Sequence, residues 1–229
     1  MKILLAVDTS GKNGSLALGS IAGDGRIDIL EVAALAGGTF SAQLVPQITA
    51  LLETHGLTKF DLEAFAVASG PGSFTGLRVG LAAIKALAEA LAKPIVAISL
   101  LEAVARGTSV QGRVLAALDA GRTDVYAGDY ELGHPTRMCS ERMLSREEFL
   151  AEANGAVAAK IQIITPDAAL ADALRSAGIA VRQIAYPNAA DIARLGYEHL
   201  KLGHTTLPET LDANYIRRTD AEIFAKPPR

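Results

Sequence analysis

Two apolar runs of equal length, Ile3-Leu4-Leu5-Ala6-Val7-Asp8 and Val114-Leu115-Ala116-Ala117-Leu118-Asp119, each end in an aspartate that opens a turn. The first turn is Asp8-Thr9-Ser10-Gly11-Lys12-Asn13-Gly14 and the second Asp119-Ala120-Gly121-Arg122-Thr123-Asp124. Such residues supply the dihedrals and local hydrogen bonds that a chain reversal needs. Ser15 to Ile21 and Val125 to Glu131 follow as return strands, so the chain opens twice on a hairpin. A chain that starts over in this way is constrained toward a duplicated architecture.

The remaining pattern agrees. In the first half, Arg26 to Ala33 alternates as a third strand, and Ser41 to His55 has helical spacing through Leu44, Ile48 and Leu51 before Gly56 stops it. A strand from Leu62 to Ala68, a glycine loop from Gly70 to Gly76, a helix from Leu77 to Ala92 and a strand from Pro94 to Ser99 complete it. In the second half, a strand near Met138 to Leu144 precedes a helix opened by Ser145, with Glu148 placed for a capping box. A strand from Lys160 to Thr165, a helix opened by Pro166-Asp167, a strand from Ile179 to Ile184 and a helix from Ala189 to Leu202 follow. Two βββαβα passes predict an α/β protein with a duplicated actin-like (ASKHA, ribonuclease-H-like) fold. The expected lobes are residues 1–104 and 105–229, the second carrying the C-terminal helix and a tail without clear period from Leu211 to Arg218. A single mixed sheet is the alternative.

Composition limits the function. Half of the 229 residues are hydrophobic, which directs attention to membrane spans, but the best stretch, Leu77 to Ala92, is broken by Arg78, Lys85 and Glu89. Five apolar residues before Asp8 are too few for an export signal, and the single cysteine, Cys139, fits a reducing compartment; the expected location is the cytoplasm. A net charge of -3 argues against a broad basic footprint on nucleic acid.

Ser69-Gly70-Pro71-Gly72-Ser73-Phe74-Thr75-Gly76-Leu77-Arg78-Val79-Gly80 joins a strand to a helix, where backbone amides can hold an anion. A phosphate-binding Walker loop needs Lys-Ser or Lys-Thr after its last glycine, and Leu77-Arg78 stands there instead. Gly70, Gly72 and Gly76 also miss the GxGxxG spacing of a dinucleotide site. The other reading of these glycines is structural: a tight turn around Pro71, and close approach of the helix to a neighbour at Gly76 and Gly80. Ser73 and Thr75 then serve as helix caps.

Asp8 with Ser10, and Asp119, occupy the positions where actin-like ATPases hold phosphate and magnesium on two hairpins, but no late Gly-Gly element for adenosine exists here. His55, His134, His199 and His204 lack the spacing that puts two imidazoles on one helical face, so no metal site is expected. No catalytic constellation emerges. What remains is surface: the helix from Ser41 to Thr54 carries only Glu53 as a charge, and each first-half helix has more than one apolar face. Leu44, Ile48, Leu51 and Leu52 on one helix, with Gly80, Leu81, Ile84, Lys85, Leu87 and Ala88 on the other, are the expected partner interface; full enclosure in the core is the alternative.

The glycine loop from Ser69 to Gly80, preceded by Ile3-Leu-Leu-Ala-Val-Asp-Thr-Ser10 and followed by Leu118-Asp-Ala and Asn214-Tyr-Ile-Arg217, closely resembles the TsaB (YeaZ) family, in order and across the whole chain. The resemblance implies two actin-like lobes. It also implies a role in making N6-threonylcarbamoyladenosine beside the anticodon of tRNAs that read codons starting with A. The member of such a complex that binds metal and transfers the group is TsaD, through a His-x-x-x-His pair that this chain lacks. The chain thus resembles the non-catalytic partner, docking on a TsaD-like subunit through the two first-half helices, with a TsaE-like ATPase joining. ATP and metal are expected in those partners, tRNA contact only through the complex, and a homodimer when the chain is isolated. One departure is Phe40-Ser41, where family members often carry His-Ser. A stand-alone actin-like ATPase or sugar kinase is the alternative function.

Overall fold

The computed structural model describes residues 2–23 and 25–216, so Arg217 of the terminal signature lies outside the described residues. The first apolar run becomes β1 (Lys2–Asp8), buried on both faces from Ile3 onward. It pairs antiparallel with β2 (Gly14–Ile21) and parallel with β4 (Leu62–Gly70). A strand buried on both sides reads as continuous apolar residues rather than alternation. β3 (Ile27–Leu35) is an edge strand with Val32 turned out, and β5 (Ile95–Ser99) lies at the other edge, giving the order β3-β2-β1-β4-β5.

Successive strand residues point to opposite faces. Ile3, Leu5, Val7, Phe65 and Val67 face α1 (Phe40–Thr54) and α2 (Phe74–Leu91), in a core with Leu44, Ile48, Leu77, Leu81 and Ile84. Each such buried aliphatic side chain contributes roughly 1.5–3 kcal/mol. Ala6 and Ala66 belong to the opposite face, and there Gly196 of α6 (Ala189–Lys201) comes so near Ala66 that a Cβ on the glycine would collide with the alanine methyl. Ser15 of β2 fixes the start of α6 by accepting from Ala189 N at 2.9 Å.

The contacts therefore divide the chain differently from the expected 1–104 and 105–229. One unit runs through Ala103 and takes back Pro187–Asn214; Val104–Tyr186 lies in the other. The C-terminal helix, expected in the second lobe, packs on the first sheet, because its small-residue face fits the alanine-rich side of β4.

The second unit repeats the sheet. β6 (Gly112–Gly121) pairs antiparallel with β7 (Asp124–Leu132) and parallel with β9 (Gln162–Thr165); β8 (Arg137–Ser145) and β10 (Arg182–Gln183) are the edges. The order β10-β9-β6-β7-β8 is the first sheet's order read from the other end. α4 (Arg146–Ala158) and α5 (Ala168–Ser176) bring Phe149, Ala153, Leu170 and Leu174 onto Leu115, Ala117, Val125 and Ile163. Ser145 and Glu148 form the expected capping box: Ser145 Oγ accepts from Glu148 N at 3.2 Å and Glu148 Oε2 from Ser145 N at 2.6 Å. Two elements depart from expectation. The strand expected over Ile179 to Ile184 shrinks to β10, and a seven-residue helix, α3 (Leu100–Arg106), occupies a stretch taken as the boundary.

Candidate functional site

Ser73 caps α2, its Oγ accepting from Gly76 N at 3.2 Å. The glycine loop before it lies on the turn after β1. Ser73 N donates to Ser10 O at 2.7 Å, and Thr9 Oγ1 donates to Gly76 O at 2.8 Å. Gly72, Gly76 and Gly80 all face this turn. A Cβ on Gly72 would meet Ser10 O, one on Gly76 would meet Thr9 O, and one on Gly80 would meet Thr9 Oγ1, so the helix approaches as closely as only glycine allows. Gly70, at φ +119, lies under the Asn214 carbonyl, and Pro71 is buried. Thr75 and Phe74 are exposed, with the Arg78 guanidinium stacked 3.7 Å from the Phe74 ring centroid.

The two turn aspartates differ. Asp8 is buried, and its Oδ1 accepts from Ser10 N at 2.9 Å and Ser10 Oγ at 2.6 Å. Burial pushes its carboxyl above the ordinary 3.8, opposed by the two Ser10 hydrogen bonds. Asp119 is exposed; its Oδ1 accepts from Gly121 N at 3.3 Å and lies 4.0 Å from Arg146, while its own N–H donates to Asp167 Oδ2 at 2.7 Å. Burial also raises the Asp167 carboxyl.

Histidines serve as local partners. His55 Nε2 lies 2.9 Å from Glu31 Oε2, and His199 Nε2 2.8 Å from the largely buried Glu102, with His204 edge-on to His199. Among the described residues no group of three or more His, Cys, Asp or Glu could hold a metal ion, and no helix is long and apolar enough to cross a membrane. Cys139 is exposed on β8.

The expected interface residues require correction. Leu44, Ile48, Leu51, Leu52, Gly80, Leu81, Ile84 and Ala88 are buried within the first unit, Leu87 is half-buried against the same core, and Lys85 donates to Leu211 O at 3.0 Å. Their i, i+4, i+7 spacing marks the stripe that faces the sheet, which is where an amphipathic helix places its larger side chains. Phe40 is part of that core, its ring against Gly14, so the residue that stands in place of histidine packs as an apolar plug. The exposed residues of these helices are mostly small, among them Ala42, Pro46, Thr49 and Ala50 on α1 and Thr75, Ala82, Ala86 and Ala90 on α2; Val45, Gln47 and Phe74 are the larger uncharged ones, and Glu53, Arg78 and Glu89 carry charge. Lack of charge is the sequence signal of this outward surface, and its exposed alanines are the residues that the signal marks.

A family model described as TsaD, tRNA N6-adenosine threonylcarbamoyltransferase, matches residues 32–223. The chain is similar to the tRNA threonylcarbamoyladenosine biosynthesis protein TsaB of Escherichia coli, 33% identical over 131 residues, 56% of this chain and 54% of that one. It is also similar to TsaB of Bacillus subtilis, 36% identical over 129 residues, 56% of this chain and 55% of that one. The chain thus spans about half the length of the curated relatives it matches. Among solved structures, YeaZ from Pseudomonas aeruginosa superposes with a TM-score of 0.69 at 25% identity, covering 94% of this chain and 100% of that chain. An uncharacterized protein with similarity to peptidase YEAZ, also from Pseudomonas aeruginosa, gives 0.70 at 26% identity, with 95% and 100% covered.

Proposed function

The chain belongs to the TsaD model family and, within it, to the TsaB (YeaZ) relatives, and from that premise we propose that it is a non-catalytic subunit in the synthesis of tRNA threonylcarbamoyladenosine. The observation that carries this reading is the outward surface of α1 and α2, where Val45, Pro46, Ala50, Ala82, Ala86 and Ala90 form a nearly uncharged face of small side chains. Small residues let a second helical layer approach closely, and depletion of charge is the mark of an interface centre. The occupant we propose is a TsaD-type subunit, with a TsaE-type ATPase joining, in the cytoplasm; isolated copies pair through the same face. ATP, metal and group transfer belong to those partners, and tRNA meets the chain through the complex.

The close cover of Gly72 and Gly76 over Ser10 and Thr9 weighs against a stand-alone kinase or ATPase, because the first turn is engaged by its own helix. Reconstitution tests the proposal. Purified chain, TsaD-type and TsaE-type proteins, tRNA, ATP and a threonylcarbamoyl donor are combined, each also left out in turn. Modified adenosine is expected only when this chain and the TsaD-type subunit are both present; turnover by this chain alone overturns the reading.

A further inference from the structure

We propose that Thr9 is the positioning residue of the docking helix: its hydroxyl, seated against Gly76 and Gly80, sets the depth and register at which α2 presents its outward face. The inference rests on the docking reading above and adds the residue that governs it. Gly76 and Gly80, four positions apart, line one side of the first turns of α2, and Gly72 lies in the loop before them against Ser10. Against that side lies the turn Asp8-Thr9-Ser10. Thr9 is fully buried, and its Oγ1 donates to Gly76 O while occupying the space that a side chain at position 80 would fill.

This contact has two properties that ordinary core packing lacks. It is directional, since a hydroxyl bonded to a helix carbonyl tolerates little sliding along the axis. It is also tight, since Gly76 and Gly80 leave no side chain to yield. The exposed Ala82 and Ala86 lie on the turns that continue from Gly76 and Gly80, so a shift of the first turn is carried directly into the docking face. Asp8 completes the arrangement by accepting from both Ser10 N and Ser10 Oγ, which holds the turn that carries Thr9. In this chain the hairpin turn after β1 works as a lock for a helix.

The test uses the full chain and a labelled TsaD-type subunit. Thr9→Val keeps the shape but loses the donor; Thr9→Ser keeps the donor. Thr9→Val is expected to weaken partner affinity by up to about tenfold, because loss of the hydrogen bond lets α2 leave the register that the partner needs and only the fraction in that register binds. Thr9→Ser is expected to stay within about threefold of wild type. Amide hydrogen exchange from Gly76 to Leu81 is expected to accelerate in Thr9→Val and not in Thr9→Ser. Unchanged affinity in Thr9→Val overturns the inference, whatever its exchange. Should Thr9→Val not fold, Gly80→Ala and Gly80→Ala/Thr9→Ala decide it: the first weakens binding, and the second recovers the affinity of Thr9→Ala alone. Failure to recover overturns it. Ala86→Arg separates the two proposals. If that surface variant binds like wild type, the docking reading fails and the role of Thr9 as its positioning residue falls with it. If Ala86→Arg abolishes binding while Thr9→Val does not weaken it, the docking reading stands and the role of Thr9 falls.

Discussion

Lys85 Nζ donates a hydrogen bond to the backbone carbonyl of Leu211 at 3.0 Å, joining positions 126 apart in the chain. Leu211 itself is in the core beneath α1 and α2, and Asn214 N donates to Ser69 O at 2.7 Å, beside the start of the glycine loop. The segment after α6 is thereby tied to the body of α2 at Lys85 and, at Ser69, to the end of β4 that leads into the glycine loop. Lys85, which its sequence neighbours suggested for an interface, holds this strap.

The strap should contribute measurable stability. Leu211→Ala removes a buried side chain and is expected to destabilise the first unit by about 2–4 kcal/mol. Lys85→Met keeps the aliphatic stem but loses the donor, for about 1 kcal/mol. Urea denaturation checks both; equal stability of wild type and Leu211→Ala would show that the strap is idle.

Gly196 tests the assignment of α6 to the first sheet. Gly196→Ala drives a methyl into Ala66 and is expected to lower stability by about 1–3 kcal/mol. Ala66→Gly in the same chain should recover part of that loss, because the two positions share one space. Additive losses, measured by thermal unfolding, would place α6 elsewhere.

Local chemistry was legible before the structure, and allegiance between distant segments was not. The Ser145 and Glu148 capping box is a four-residue signal, and both of its hydrogen bonds are present. The hairpins after Ile3 to Val7 and Val114 to Leu118 were equally readable, since apolar runs bounded by turn residues leave little choice. The return of α6 to the first sheet depends on Gly196 meeting Ala66, 130 positions earlier in the chain as the numbering runs, and no local pattern encodes that pairing. On α1 and α2 low charge is the sequence signal of an outward surface, but the large residues with regular spacing face inward. Leu44, Ile48, Leu77 and Ile84 have the spacing of a buried stripe, whereas the alanines that face outward look featureless in sequence. α3 is not legible in the sequence, because seven residues with one acidic residue in the first turn and one basic residue in the last carry little periodic signal.

Asp8 gives the first unit a definite pH response. Its folded value is raised above 3.8 by burial, so the folded chain keeps this proton to a higher pH than the unfolded chain does. Stability relative to Asp8→Asn should be greatest below pH 3.8, fall as pH rises through that value, and level off above the folded value. Paired urea titrations between about pH 3 and 8 read the difference. A wild type that gains on Asp8→Asn with rising pH would mean that the Ser10 hydrogen bonds outweigh burial.

Whether a TsaD-type subunit covers the outward face of α1 and α2 is read from native mass measurement of the mixture with wild type and with Ala86→Arg. Wild type is expected to form a stable complex and Ala86→Arg to lose it, by about 100-fold in affinity, because an unpaired cation is forced into the contact, with thermal stability of the free chain unchanged. A complex that forms equally well with Ala86→Arg would contradict that cover.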